Sequence, residues 1–149
     1  MQAMEKRFFC TQCGICCRYE EGYVFLSPQD LEQLTAFLGQ KEARIVEEYC
    51  RWVPLGGEDQ LSLREQPNHD CVFWRDGGCI VYEARPLQCR TYPLWRHILE
   101  EPRGWEQEAL SCPGIGIGEK VSFLAEKRAL RERQRQGPIT RPRSGPGRK

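Results

Sequence analysis

The stretch FFCTQCGICCRYEEG, residues 8–22, holds four cysteines within eight positions: Cys10, Cys13, Cys16 and Cys17. The first three follow C-x2-C-x2-C, and two intervening residues are the common spacing for two thiolates on one metal. A Zn–S bond of about 2.3 Å places sulfurs roughly 3.8 Å apart. A tight turn brings residues i and i+3 that close, and Gly14 helps the backbone to make one. Cys16 and Cys17 are adjacent, so their side chains diverge, by about 100° in a helix and to opposite faces in a strand. It is difficult for one ion to take both of them along with Cys10 and Cys13. Either the two serve different centres, or one of them is buried beside the site.

The later cysteines fit such a division. CVFW and CIVY flank Arg75-Asp76-Gly77-Gly78, so residues 71–82 read as a hairpin with Cys71 opposite Cys79. Cys89 lies ten residues past Cys79, and Cys112 precedes Pro113 and a glycine-rich stretch. The candidate metal ligands are therefore Cys10, Cys13, Cys16, Cys17, Cys71, Cys79, Cys89 and Cys112, the eight thiolates that two four-thiolate centres require. Cys50 falls on an expected amphipathic helix and reads as a small core residue. Two occupants suit the set. Zn2+ takes closed tetrahedral four-thiolate sites. A [4Fe–4S] cluster takes C-x2-C-x2-C with a distant cysteine followed by proline, as in Cys112-Pro113. Spacing does not choose between zinc and iron. Either centre carries a net charge near −2, and Arg18, Arg85 and Arg90 each lie within four positions of a cysteine. These arginines read as compensation for that charge, and ordinary surface ion pairing is the plainer alternative.

Composition sets the limits. The 149 residues are 40% hydrophobic and 29% charged, with 14 glycines and ten prolines, which suits one loop-rich domain. Zinc binding at thiolate sites is worth roughly 10–16 kcal/mol, and a whole domain is stable by about 5–15 kcal/mol. Bound metal on that scale decides whether such a domain folds. Nine cysteines in a reducing compartment are not expected to form a disulfide framework, and the odd count opposes full pairing. MQAMEKRFF lacks a long apolar run and does not read as a secretory signal. No stretch reaches the roughly 20 apolar residues of a membrane helix. A cytoplasmic location without membrane attachment is the expectation. Residues 1–125 carry 13 Lys/Arg and 19 Asp/Glu, whereas residues 126–149 carry nine and two. Polybasic segments meet nucleic acid, acidic lipid or acidic protein, but specific nucleic-acid binding is not expected. No protein partner is indicated.

The chain reads as a small α+β domain stabilised by metal, with a few short strands, amphipathic helices and a C-terminal helix. YVFL at 23–26 reads as a strand. SPQDLEQLTAFLG at 27–39 reads as a helix, with Ser27 as N-cap, Pro28 in the first turn, Leu31, Leu34 and Leu38 on one face, and Gly39 as the stop. A second helix is expected over 41–52, a strand over 60–64, one or two helical turns within 84–92, and a helix over 119–136. CPGIGIG at 112–118 reads as a loop. Residues 1–136 form the expected domain, and residues 137–149 an unstructured basic tail.

C-x2-C-x2-C-C at 10–17, followed by CIVYEARPLQCRTYP at 79–93, closely resembles the YkgJ-type cysteine-cluster (CxxCxxCC) family, which is described as a zinc- or iron-chelating domain. Cys79, Tyr82, Glu83, Arg85, Pro86, Cys89, Arg90 and Pro93 match the family's second block. Val81 stands where the family has Ile, and Tyr92 where it has Phe. LSPQDLEQL and CPGIGIG are similar as well, and the resemblance covers about residues 8–125. It implies metal chelation without an assigned reaction. Larger relatives include an iron–sulfur lysine N-methylase acting on flagellin, but this chain has no obvious methyl-donor domain.

Other candidates have plainer explanations. GIGIG at 114–118 lacks a preceding strand and a lysine-serine pair, so a turn is preferred to a phosphate loop. His69 and His97 read as surface or satisfied histidines, and Glu83 as an ion-pair partner of Arg85. Trp52, Trp74, Trp95 and Trp105 read as packing. Metal chelation is the reading. An iron–sulfur enzyme of redox chemistry or protein modification, and a metal-scaffolded interaction module, are the alternatives. Cys13→Ser should lower metal content and solubility together, whereas Cys50→Ser should leave metal content unchanged in elemental analysis.

Overall fold

A computed structural model of the chain describes residues 4–14, 16 and 22–143. Cys17 and Arg18 of the first cluster, and residues 144–149 of the basic tail, lie outside them. Helices and short strands alternate in a small α+β domain. Among the described residues no helix is long and apolar enough to cross a membrane.

Helix α1 (Pro28–Leu38) forms as its sequence dictates. The Ser27 hydroxyl accepts from Asp30 N–H at 3.1 Å and the Asp30 carboxylate accepts from Ser27 N–H at 3.0 Å, a reciprocal capping box. Leu31 and Leu34 are buried, and Gly39, at φ 64°, ends the helix in the left-handed conformation. Helix α2 (Glu42–Tyr49) is shorter than expected. Cys50 is not helical: it opens strand β2 (Cys50–Leu55), which pairs antiparallel with β3 (Glu58–Leu63) through Gly56-Gly57. The aromatic and β-branched Trp52-Val53, Pro54 and the two glycines favour the hairpin over further helix. Arg64 secures the switch, donating to the carbonyls of Cys50 at 2.6 Å and Glu47 at 2.8 Å. Cys50 is 2% exposed and its thiol is pushed up to about 12, chiefly by burial.

YVFL is less than a strand. Phe25 makes one isolated bridge with Ser62, and Leu26 N–H donates to Leu61 O at 3.0 Å. The segment expected as an unstructured tail also differs. Ile139, its only large apolar residue, donates to Leu26 O and accepts from Leu61 N–H. Strand β7 (Thr140–Pro142) then extends the sheet as the neighbour of β3. Arg141 and Arg143 pair with the buried Asp59 at 3.3 and 3.5 Å, and the Arg141 guanidinium lies 4.2 Å from the Trp52 ring centroid. Part of the basic charge is thereby neutralised on the acidic body.

The expected hairpin at 71–82 is a two-residue pairing, β4 (Trp74–Arg75) with β5 (Gly78–Cys79), turned by Asp76 and Gly77 at φ 51° and 80°. Cys79 faces Trp74, not Cys71, which makes an isolated bridge with Glu65. After a 3-10 turn (Tyr82–Ala84) come α3 (Leu87–Thr91), α4 (Arg96–Glu100) and α5 (Gly104–Ala109). The glycine stretch is a strand rather than a loop. It forms β6 (Ile115–Lys120), which pairs with β1 (Arg7–Phe8). Helix α6 (Phe123–Arg135), capped by Ser122, follows.

Two apolar clusters result. Leu26, Leu34, Ile45, Leu61, Phe73 and Val81 centre the first, against which Cys71 and Cys79 pack. Tyr92, Ile98, Trp105, Cys112 and Ile115 form the second. Asp30, 2% exposed, also accepts from Leu87 N–H at 2.8 Å, tying α1 to the start of α3. Asp30→Ala leaves two buried N–H donors unpaired and should cost about 3 kcal/mol in urea unfolding, with Asp30→Asn costing less.

Candidate metal centre

Four elements converge on the first group of thiols. Cys71 follows the turn after β3, Cys79 ends β5, Cys89 sits in α3, and Cys16 comes from the N-terminal cluster. Burial pushes the Cys71 thiol up to about 11, and Cys79, Cys16 and Glu65 add to the shift, while the Phe73 N–H opposes it. Cys79 is raised by burial first and by Cys16 and Cys10, against the Val81 N–H and Arg85. Cys89 is raised by burial, then by Cys71, Cys16 and Cys79, with Arg85 opposing. Cys16 raises each of the three, and Cys71 and Cys89 each feel Cys79 as well, so their sulfurs share one electrostatic neighbourhood.

Cys10 stands at its edge. Its sulfur accepts from Gln12 N–H at 3.4 Å and shares a hydrogen bond with Tyr82. That bond is the leading cause of the raised Tyr82 pKa, ahead of burial. Arg85 does not serve as the expected partner of Glu83: it lies 3.8 Å from the Tyr82 ring centroid and donates to Tyr82 O at 2.9 Å. Its charge lowers both Cys79 and Cys89, the compensation that the sequence assigned to nearby arginines. Arg90 instead donates to Arg85 O. Arg133 of α6 interacts with Cys89 and Asp30, 5.6 Å from the Trp95 ring centroid.

A second group forms around Cys112, 7% exposed in the second apolar cluster. Burial raises its thiol, and Cys13 adds to the shift. Three donors oppose that rise: Gly114 N–H, the Tyr92 hydroxyl and Ile115 N–H. The β1–β6 pairing brings the N-terminal cluster to this place. Phe9 N–H donates to Gly114 O at 2.9 Å, one residue before Cys10. A Cβ on Gly114 would collide with the Phe9 carbonyl, and one on Gly118 would lie 2.7 Å from Phe9 Cβ. The glycines therefore serve close approach of two backbones, and Gly14, at φ 85°, turns the chain just after Cys13.

The cysteines divide, then, into Cys16, Cys71, Cys79 and Cys89, and Cys13 with Cys112, with Cys10 bordering the first group. Cys50 belongs to neither group: only Arg64 joins burial in shifting its thiol. All eight described cysteines are free thiols. Among the described residues no group of three or more His, Cys, Asp or Glu side chains is placed to hold a metal ion, and Cys17 lies outside them. The donor chemistry fits zinc or iron, because the groups are made of thiols. Neither histidine joins them. His69 pairs with Glu65 at 3.4 Å and His97 is exposed beside Trp95.

Sequence reasoning missed Tyr82, Tyr92, Glu108 and Arg133 as neighbours of the thiols. Tyr92 was visible as a departure from the family's Phe, and Glu108 as a carboxylate four residues before Cys112. For Arg133 the sequence held no signal.

The chain belongs to the CxxCxxCC family, whose model matches residues 9–113 under the description "Putative zinc- or iron-chelating domain". Metal chelation is thus its general function. The match begins one residue before Cys10 and ends one residue after Cys112, leaving α6 and β7 outside it. No solved structure matches the chain. Gly114→Ala should separate β1 from β6 and reduce the metal bound per chain by half or more. Gly137→Ala, with nothing within 4 Å of its Cβ position, should leave it unchanged.

Proposed function

We propose that the chain holds two metal centres, each built from cysteine thiolates, and that zinc is the occupant of both. Cys16, Cys71, Cys79 and Cys89 supply the first. Cys13 and Cys112, with Cys17, supply the second, and Cys10, at the edge of the first group, is the remaining candidate ligand. The observation that carries this reading is the shared neighbourhood of the first four: Cys16 shifts each of the other three. Bound zinc supplies a positive charge that lets the thiols deprotonate together without mutual repulsion. The residues do the rest. The first apolar cluster fixes Cys71 and Cys79, Asp30 fixes the start of α3 and hence Cys89, and Arg85 offsets residual negative charge. The β1–β6 ribbon brings Cys13 to the side of Cys112. The role is structural, in a cytoplasmic protein that does not bind specific nucleic-acid sequences.

An iron–sulfur cluster at the second centre is the other reading, favoured by Pro113 directly after Cys112. Anaerobic purification followed by elemental analysis and visible spectroscopy separates the two. The expected result is colourless protein with two zinc ions per chain, which unfolds when a chelator removes them. Broad brown absorption with iron would replace zinc by a cluster. A folded, metal-free native protein would overturn both.

A further inference from the structure

Helix α6 is held to the body by one face only. Glu126 pairs with Lys6 at 2.9 Å, Ala129 is buried, and the Arg133 guanidinium lies 5.6 Å from the Trp95 ring centroid. Gln136, just past the end, accepts from the Ser27 hydroxyl at 3.2 Å. These positions recur at spacings of three and four, so they share one side of the helix. The opposite side is left to solvent. It opens with Phe123 and Leu124, 71% and 66% exposed, and continues with the exposed Lys127, Arg128, Arg131 and Arg135. Leu124 and these four cations line one shallow trough, with Glu132 as its sole carboxylate. Among the described residues none of the four cations makes an ion pair. Arg141 and Arg143, by contrast, are tied to Asp59. Unneutralised charge is thereby concentrated on a stripe about 12 Å long, at about 1.5 Å per residue.

We propose that this face of α6 docks the protein on an anionic lipid surface. Phe123 and Leu124 enter the acyl boundary, and the four cations meet the charged headgroups. A helix lying on a bilayer needs no long apolar run, unlike one that crosses it. Apolar side chains beside unpaired cations match the two layers such a surface offers. A protein interface has the reverse order, an apolar centre with charge at its rim, over about 800 Å2 on each partner. Here two apolar residues stand at one end and cations fill the middle. A nucleic-acid strand would take the cations and leave Leu124 unused. Lys127, 5.1 Å from the Phe123 ring centroid, also occupies a ring face on which a base would stack. The helix lies beyond residues 9–113, so the docking face is separate from the chelating region.

The test sediments the full chain, as purified, with vesicles of two kinds. One is phosphatidylcholine alone, and the other equal parts phosphatidylcholine and phosphatidylserine. Wild type should bind the anionic vesicles, leave them on addition of salt, and ignore the neutral ones. Arg128→Gln combined with Arg131→Gln and Arg135→Gln should weaken binding roughly 100-fold, at about fivefold per cation. Phe123→Gln with Leu124→Gln should weaken it about tenfold or more. Arg44→Gln with Arg75→Gln and Arg96→Gln removes equal charge from exposed positions elsewhere and should bind as wild type. Every substituted side chain is exposed, so bound metal per chain and helical circular dichroism should match wild type throughout. No binding to anionic vesicles, equal binding to both kinds, or equal loss in the charge-matched control overturns the proposal. A Phe123 and Leu124 double variant that binds as wild type overturns it too, since nothing then enters the bilayer. A wild type that ignores both vesicles, yet binds duplex DNA or self-associates through the same arginines, assigns the face to that partner and overturns it as well.

Discussion

Sulfur charge is the constraint around which this small domain is arranged. Cys71, Cys79 and Cys89 lie where burial and one another's charge both oppose ionisation, and Cys16 adds to the pressure on each. Such thiols either keep their protons or share a cation. A family defined by zinc or iron chelation supplies the cation. The apolar packing nearby is modest, and two separate clusters of buried side chains do the work that one larger core does elsewhere. Helix α3 joins them, with Cys89 turned to one group of thiols and Tyr92, just beyond its end, to the other.

The remaining architecture supports that arrangement by local means. Asp30 serves two helix starts at once, capping α1 and receiving Leu87 N–H at the head of α3. Arg64 closes the end of α2 and releases the chain into β2. The narrow β1–β6 ribbon depends on glycine because any side chain at 114 or 118 would enter the backbone of Phe8 or Phe9. None of these contacts involves a thiol, yet each fixes the place of one.

Local chemistry was legible in the sequence where it was self-contained. Helix α1 appears with its cap, its buried leucines and its glycine stop as read, because all of its signals lie within 13 residues. The α+β class was legible as well. Pairings decided at a distance were not. Cys50 moved from helix to strand because β3 offers a partner for the whole of β2. GIGIG became a strand because Arg7–Phe8, more than 100 residues earlier, pairs with it. Ile139 alone brought part of a charged tail back to the sheet, where Asp59 waits buried with two arginines to meet. In the candidate site, spacing spoke only to the cysteines themselves. It was silent on their aromatic and charged neighbours, whose approach depends on how α3, α5 and α6 pack.

The pairing of residues 7–8 with residues 115–120 has a consequence for synthesis. The N-terminal thiols leave the ribosome before the rest, but Cys112 and the strand that holds Cys13 beside it are translated about 100 residues later. Through that interval the nascent chain exposes Cys13 without Cys112 beside it, whereas Cys16 waits only until Cys89 has emerged. Contacts of such long sequence separation form late. Oxidation or capture of the wrong ion is therefore a hazard of the growing polypeptide more than of the finished one, and its window closes only when β6 has emerged.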